Sequence, residues 1–257
     1  ALVAAAATTD VLIPPSVAFV VYGVITESSV GRLFAAGVVP GLLMGLALVL
    51  PVYWISKRHG WGGERWGTWA EIRQAAWEAK WGLVAPVVIL GGIYGGIFTP
   101  TEAAVVAVAY GLFVGVFVYR NLGLGDLYAV FRDSAVATSV VMVVIAFAGL
   151  FSWTGSTLGV MDRAARGMLG LTDNPYLLLL LLNAMLIVAG MLLDAISIYY
   201  VFLPILLPVM KQFAWDPIWF GVMMTVNLAI GTITPPVAVN LYVASNISGA
   251  SMEEVSR

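Results

Sequence analysis

Asn227-Leu228-Ala229-Ile230-Gly231-Thr232-Ile233-Thr234-Pro235-Pro236-Val237 stands in the middle of an apolar run, residues 218–245. At about 1.5 Å per residue such a run can cross a hydrocarbon core of ~30 Å. A proline removes a helix hydrogen bond and its ring clashes with the preceding turn. Two in succession should therefore open the helix at Pro235-Pro236. Carbonyls freed at membrane depth must find other partners. Beside them stand the hydroxyls of Thr232 and Thr234. Carbonyl and hydroxyl oxygens together are hard donors, suited to a small cation such as Na+.

The same pattern recurs near the start, in Thr8-Thr9-Asp10-Val11-Leu12-Ile13-Pro14-Pro15-Ser16. Again small hydroxyl residues precede a Pro-Pro pair inside an apolar run, residues 1–25. Broken helices at corresponding positions of two halves are the sequence mark of a transporter's midplane site; the plainer alternative is two proline kinks. A third interruption, Met191-Leu192-Leu193-Asp194-Ala195-Ile196-Ser197, divides the apolar stretch 176–209. That stretch is long enough to enter the membrane and return, with Asp194 and Ser197 near the tip. Its alternative is a plain span ending in a polar cap.

Composition agrees with a lipid solvent. Of 257 residues 61% are hydrophobic and 10% charged, against roughly 25% charged in a soluble domain. Such a chain could not cover its own surface in water. The net charge of −2 offers nothing to nucleic acid. With no cysteine, disulfides and thiolate metal sites are excluded. The single His59, between Arg58 and Gly60, has no second His or Cys to complete a metal site and reads as a solvated loop residue.

The remaining layout follows from apolar runs and their breaks. Residues 33–55 form a clean span. Residues 56–80 are polar and hold Lys57, Arg58, Arg65, Arg73 and Lys80, the chain's largest cationic cluster, so this loop is expected in the cytoplasm. Its Trp61, Trp66, Trp69, Trp77 and Trp81 suit the headgroup layer, either as a connector or as a membrane-surface arm helix. Residues 81–119 make two crossings or one broken element around Gly91-Gly92, Gly95-Gly96 and Thr99-Pro100-Thr101-Glu102. A short polar loop is expected over 120–134, a span over 135–153 and an amphipathic interfacial helix over 155–172. The acids Asp10, Glu102 and Asp194 lie inside apolar runs, where a charge normally faces a cavity, an ion or a partner. Each could instead sit near an interface or be protonated, and serve packing alone. No nucleophile–base pair, zinc motif or phosphate loop appears, so an enzyme is the weakest reading.

These blocks resemble the large membrane subunit of tripartite ATP-independent periplasmic (TRAP) transporters over nearly the whole length. The resemblance rests on four stretches in order: Ile13-Pro14-Pro15-Ser16 leading to Tyr22-Gly23-Val24-Ile25-Thr26-Glu27; Gly91 to Ala104; Gly190-Met191-Leu192-Leu193-Asp194-Ala195; and Asn227 to Val237, followed by Asn240-Leu241. It implies an all-α polytopic membrane protein, an elevator-type carrier with inverted repeats, a re-entrant hairpin and broken helices. The implied partners are a small four-helix membrane subunit, a periplasmic substrate-binding protein and an organic acid such as a C4-dicarboxylate or sialic acid. The implied coupling ion is Na+, with no cofactor. Residues 190–208 resemble the second hairpin, Gly231 to Pro236 the second broken helix and Thr8 to Ser16 the first. Ala7 and Asp10 stand where the family has glycine.

On this reading residues 1–55 end a first repeat, 56–80 form a cytoplasmic arm, and 81–257 hold a second repeat lacking its last span. The first hairpin is expected to lie outside the chain. The ion and substrate residues are then Thr8, Pro14, Pro15, Ser16, Asp194, Ser197, Gly231, Thr232, Thr234, Pro235 and Pro236, with Ser197, Thr232 and Thr234 as sodium ligands. The rival function is an ion channel or a non-transporting scaffold. A channel needs a continuous polar stripe along several spans, whereas polar groups here gather at the breaks.

Overall fold

The computed structural model describes residues 2–61 and 67–256, and every described element is helical. In chain order the helices are α1 Leu2–Ala7, α2 Val17–Thr26, α3 Val30–His59, α4 Trp69–Glu78, α5 Lys80–Tyr94, α6 Pro100–Phe113, α7 Leu124–Thr157, α8 Val160–Leu169, α9 Pro175–Gly190, α10 Ala195–Gln212, α11 Pro217–Gly231, α12 Val239–Ser248 and α13 Met252–Ser256. A 3-10 turn, Thr8–Val11, follows α1, and a π-helical turn, Val114–Val118, extends α6. Among the described residues four stretches are long and apolar enough to cross a membrane: α3, α6 with its π turn, α7 and α10. A fifth span arises if α4 and α5, bent by 63°, count as one. The protein is a multi-pass α-helical membrane protein. It divides into two compact units, residues 1–52 with 141–257, and residues 53–140.

In the first unit α9 packs on α11, α8 on α10, α1 on α12, and α2 against both α10 and α11. The α9–α11 crossing is glycine against glycine. A Cβ on Gly231 would stand 2.5 Å from the Gly190 Cα, and one on Gly190 would stand 3.1 Å from the Gly231 Cα. Close backbone approach through small residues is how helices associate where lipid is as apolar as leucine. The core between α2, α10 and α11 holds Phe19, Tyr22, Tyr199, Leu203, Phe220 and Met224, all fully buried. Tyr22 donates to the Pro217 carbonyl at 2.7 Å, and its ring meets Tyr199 edge-on.

The second unit contains an antiparallel helical hairpin. The Ile97 and Phe98 amides donate to the Gly92 carbonyl at 2.9 and 3.1 Å, closing the turn between α5 and α6. At the other end the Tyr110 hydroxyl donates to the Trp81 carbonyl at 2.7 Å. Of the two readings left open for 81–119, the structure takes helix–turn–helix.

Several expectations are corrected. Residues 124–134 are not loop: they are the opening turns of α7, because Asp126 accepts from the Gly123 amide at 2.9 Å and no glycine or proline interrupts residues 126–148. The apolar stretch 176–209 is divided where expected, between α9 and α10, but no second turn falls within 190–208. The turn lies at Met191–Asp194, and α10 runs unbroken from Ala195 to Gln212 with Pro204 and Pro208 inside it. The amphipathic helix is shorter than 155–172, because α7 continues to Thr157 and Gly159 adopts φ +67°. Its apolar residues Met161 and Ala165 are buried, and the helix packs on α10. Arg65 and Trp66, at the middle of the cationic stretch, fall outside the described residues.

Candidate functional site: three helix breaks in one unit

At the first break the 3-10 turn ends α1. Thr8 is fully buried, and its hydroxyl donates back to the Ala5 carbonyl at 2.7 Å. Ser16 closes the break, donating to the Val11 carbonyl at 2.6 Å and accepting from the Phe19 amide at 3.3 Å. It is thus the N-cap of α2, the position at which a short side-chain oxygen satisfies an orphan amide. Pro14 is buried and Pro15 exposed. The Pro14–Pro15 and Pro235–Pro236 peptide bonds are both cis.

At the second break α11 ends at Gly231. Thr232 donates to the Ala229 carbonyl at 2.8 Å, and Thr234 donates to the Ile230 carbonyl at 2.7 Å. A hydroxyl that gives its one proton backward keeps its oxygen lone pairs forward. The turn from Thr234 to Ala238 is closed by the Asn240 amide, which donates to the Thr232 carbonyl at 3.1 Å. The Asn240 side chain reaches the Thr232 hydroxyl at 3.4 Å. Pro235 and Pro236 are exposed, while Ala238 is fully buried.

The third break, Met191–Asp194, is tied to the second. The Val237 and Ala238 amides both donate to the Met191 carbonyl, at 3.2 and 3.4 Å. Asp194 caps α10, its carboxylate accepting from the Ser197 amide at 3.0 Å and from the Ser197 hydroxyl at 2.6 Å. Glu102 acts alike at the head of α6, in a reciprocal capping box with Thr99. Asp10 is exposed. Both Asp194 and Glu102 therefore serve helix starts.

The first break joins these two by packing. Its 3-10 turn lies on α11 and α1 lies on α12. Ala4 shares a buried cluster with Ala238, Leu241 and Val255. The expected residues thus divide among three breaks gathered in one unit. Among the described residues no side-chain hydrogen bond links Ser197 to Thr232 or Thr234.

Two buried polar pairs escaped the sequence reading. Asn227 donates to the Asn183 side-chain oxygen at 2.6 Å and to the Met223 carbonyl at 2.8 Å, bridging α11 to α9. Thr225 donates to the Gly221 carbonyl at 2.6 Å, so Tyr199 is the donor in its 2.7 Å bond to Thr225. The rule applied to Asp10, that a polar group in an apolar run needs a partner, would have found Asn183 and Asn227.

The comparisons with known proteins point one way. The family model described as "Tripartite ATP-independent periplasmic transporter, DctM component" matches residues 1–257. The isethionate TRAP transporter permease protein DctMQ of Oleidesulfovibrio alaskensis is 46% identical, over 100% of this chain and 41% of its own. The C4-dicarboxylate TRAP transporter large permease protein DctM of Pseudomonas aeruginosa is 42% identical, over 96% of this chain and 58% of its own. The sialic acid TRAP transporter permease protein SiaT of Haemophilus influenzae is 36% identical, over 96% and 40% respectively. The chain thus spans between two-fifths and three-fifths of the length of these relatives, each of which is a transporter permease by name and none an enzyme. This chain belongs to the DctM-component family of tripartite ATP-independent periplasmic transporters.

Proposed function

We propose that the protein containing this chain is a sodium-coupled carrier of a small organic acid in the bacterial inner membrane, working with a small four-helix membrane subunit and a periplasmic substrate-binding protein. The observation that carries the reading is the convergence of three helix breaks in one unit, with Thr232 and Thr234 hydroxyls whose protons are already spent on carbonyls behind them. Oxygens so arranged accept a cation without first losing a hydrogen bond. In this proposal Thr232, Thr234 and Ser197 contribute to sodium sites, with carbonyls near Gly231. Thr8 and Ser16 serve the matching side. Pro14, Pro15, Pro235 and Pro236 hold the breaks open, and Asp194 fixes the start of α10 beside the ion path. Residues 1–55 and 81–257 belong to two inverted repeats, with 56–80 as a cytoplasmic arm, and transport proceeds by elevator motion. The relatives' names cover isethionate, C4-dicarboxylates and sialic acid, which supports a small organic anion as the substrate class.

The test is uptake into proteoliposomes by the full-length subunit with both partners. Labelled organic acids of these classes are offered under an inward sodium gradient or an equal choline gradient. Concentrative uptake with sodium alone is expected. Conductive flux without a binding protein would favour a channel, and no flux of any kind would favour a scaffold; either result overturns the proposal.

A further inference from the structure

The second unit carries a feature that transport chemistry does not use. Helix α4 starts from a capping box, Thr68 with Glu71, yet buries none of its side chains. At 100° per residue, Trp69, Ile72, Arg73, Ala76 and Trp77 share one face, and Lys80 continues it beyond the elbow. Glu71, Gln74 and Glu78 take the other side. The face is thus aromatic and cationic, and the acids point away. Lys80 places its ammonium 3.7 Å from the Trp77 ring centroid, a cation–π contact. An open cleft of about 650 Å³ runs along Ala70, Arg73, Gln74, Ala76 and Trp77, ample for one phosphoglycerol group.

Its depth in the membrane follows from its neighbours. α4 meets the apolar α5 at 63°, so it leaves the direction of the span as the chain reaches the bilayer edge. Helix α3 ends in the same unit with a second cation–aromatic cluster: Arg58 lies 5.5 Å from the Trp54 ring and Lys57 6.0 Å from Tyr53. By sequence, the nine residues between His59 and Trp69, with Glu64 and Arg65 among them, are too few and too polar for a membrane-spanning helix. Both clusters therefore lie on one membrane face. Tryptophan and tyrosine settle at headgroup level, and Lys or Arg at that level attract anionic lipid.

We propose that the α4–α5 elbow, through Arg73, Trp77 and Lys80, binds the phosphates of anionic phospholipid headgroups, with Lys57 and Arg58 extending the same surface. Charge complementarity selects this occupant: a protein partner for this face would need acids, whereas the bilayer already presents them at the depth where the tryptophans rest.

The experiment uses the full-length subunit in neutral detergent, with dioleoyl phosphatidylglycerol, dioleoyl phosphatidylcholine or soluble glycerol phosphate added, and retention read by native mass spectrometry. Phosphatidylglycerol should be retained over phosphatidylcholine, and glycerol phosphate not at all. Arg73→Gln with Lys80→Gln should lower phosphatidylglycerol retention about tenfold, while Arg73→Lys with Lys80→Arg should keep it. Equal retention of the two lipids, or an unchanged preference in the glutamine double variant, would overturn the proposal. A photoreactive residue at Ala76, on the same face, in the otherwise native protein supplies an independent reading in mixed liposomes. A phosphatidylglycerol adduct supports the site, and adducts to protein alone refute it.

Discussion

The two Pro-Pro breaks look alike in sequence and are held in different ways. At the first, Ser16 turns back to Val11 and Thr8 to Ala5, so the polar groups are satisfied within a dozen residues. At the second, Thr232 and Thr234 also turn back locally and Asn240 closes onto Thr232, but the Met191 carbonyl takes two amides from the distant Val237 and Ala238. The first break makes its hydrogen bonds locally and is joined to the others by packing alone. The second is locked to a third break and to the glycine crossing beneath it. Proline opens a helix in both places, but what refills the lost hydrogen bonds decides whether the opening is capped within its own segment or tied by hydrogen bonds to another break.

The sharpest way to break this contrast is Gly231→Ala. Its Cβ would stand 2.5 Å from backbone at Gly190, and backbone cannot swing aside as a side chain does. Overpacking costs typically 1–3 kcal/mol, so a loss of about 3 kcal/mol is expected in thermal unfolding of the full-length protein. Gly149→Ala, with nothing within 4 Å, should be neutral or slightly stabilising. Equal effects of the two would deny that the second break rests on the glycine crossing.

Next in size is Asn227→Leu, which strands Asn183 between α9 and α11. Interhelical hydrogen bonds in membranes contribute about 1 kcal/mol, and a loss of that order is expected. Ser16→Ala removes only a local cap. It should cost about 1 kcal/mol or less, and Ser16→Thr, which keeps both the donor and the acceptor, should restore most of it. If Ser16→Ala proved as damaging as Gly231→Ala, Ser16 would be more than the local cap described above.

Much of this was legible beforehand, for reasons particular residues make plain. Pro14-Pro15, Pro235-Pro236 and Asp194 announce breaks because proline chemistry and a charge in an apolar run act locally. Polarity misled at 124–134, where Asp126, Arg132 and Asp133 suggested a loop while Leu127, Tyr128 and Phe131 kept helical spacing. Capping by Asp194 sets the start of α10, and Pro204 and Pro208 lie inside that helix. The meeting of Gly190 with Gly231, and of Met191 with Val237, joins residues some forty positions apart, and no local pattern encodes that distance. Asn183 and Asn227 were visible as polar residues in apolar runs, but their partnership was not.

The central claim is that the second break binds sodium. Thermal stability of the full-length subunit is measured against sodium at constant ionic strength, choline replacing it. A bound ion contributes RT ln(1 + [L]/Kd), about 2.7 kcal/mol at a hundredfold excess over Kd. Wild-type protein should gain stability with rising sodium, and Thr232→Val and Thr234→Val should each blunt that gain while still folding in choline. A sodium response unchanged in both variants would contradict the account.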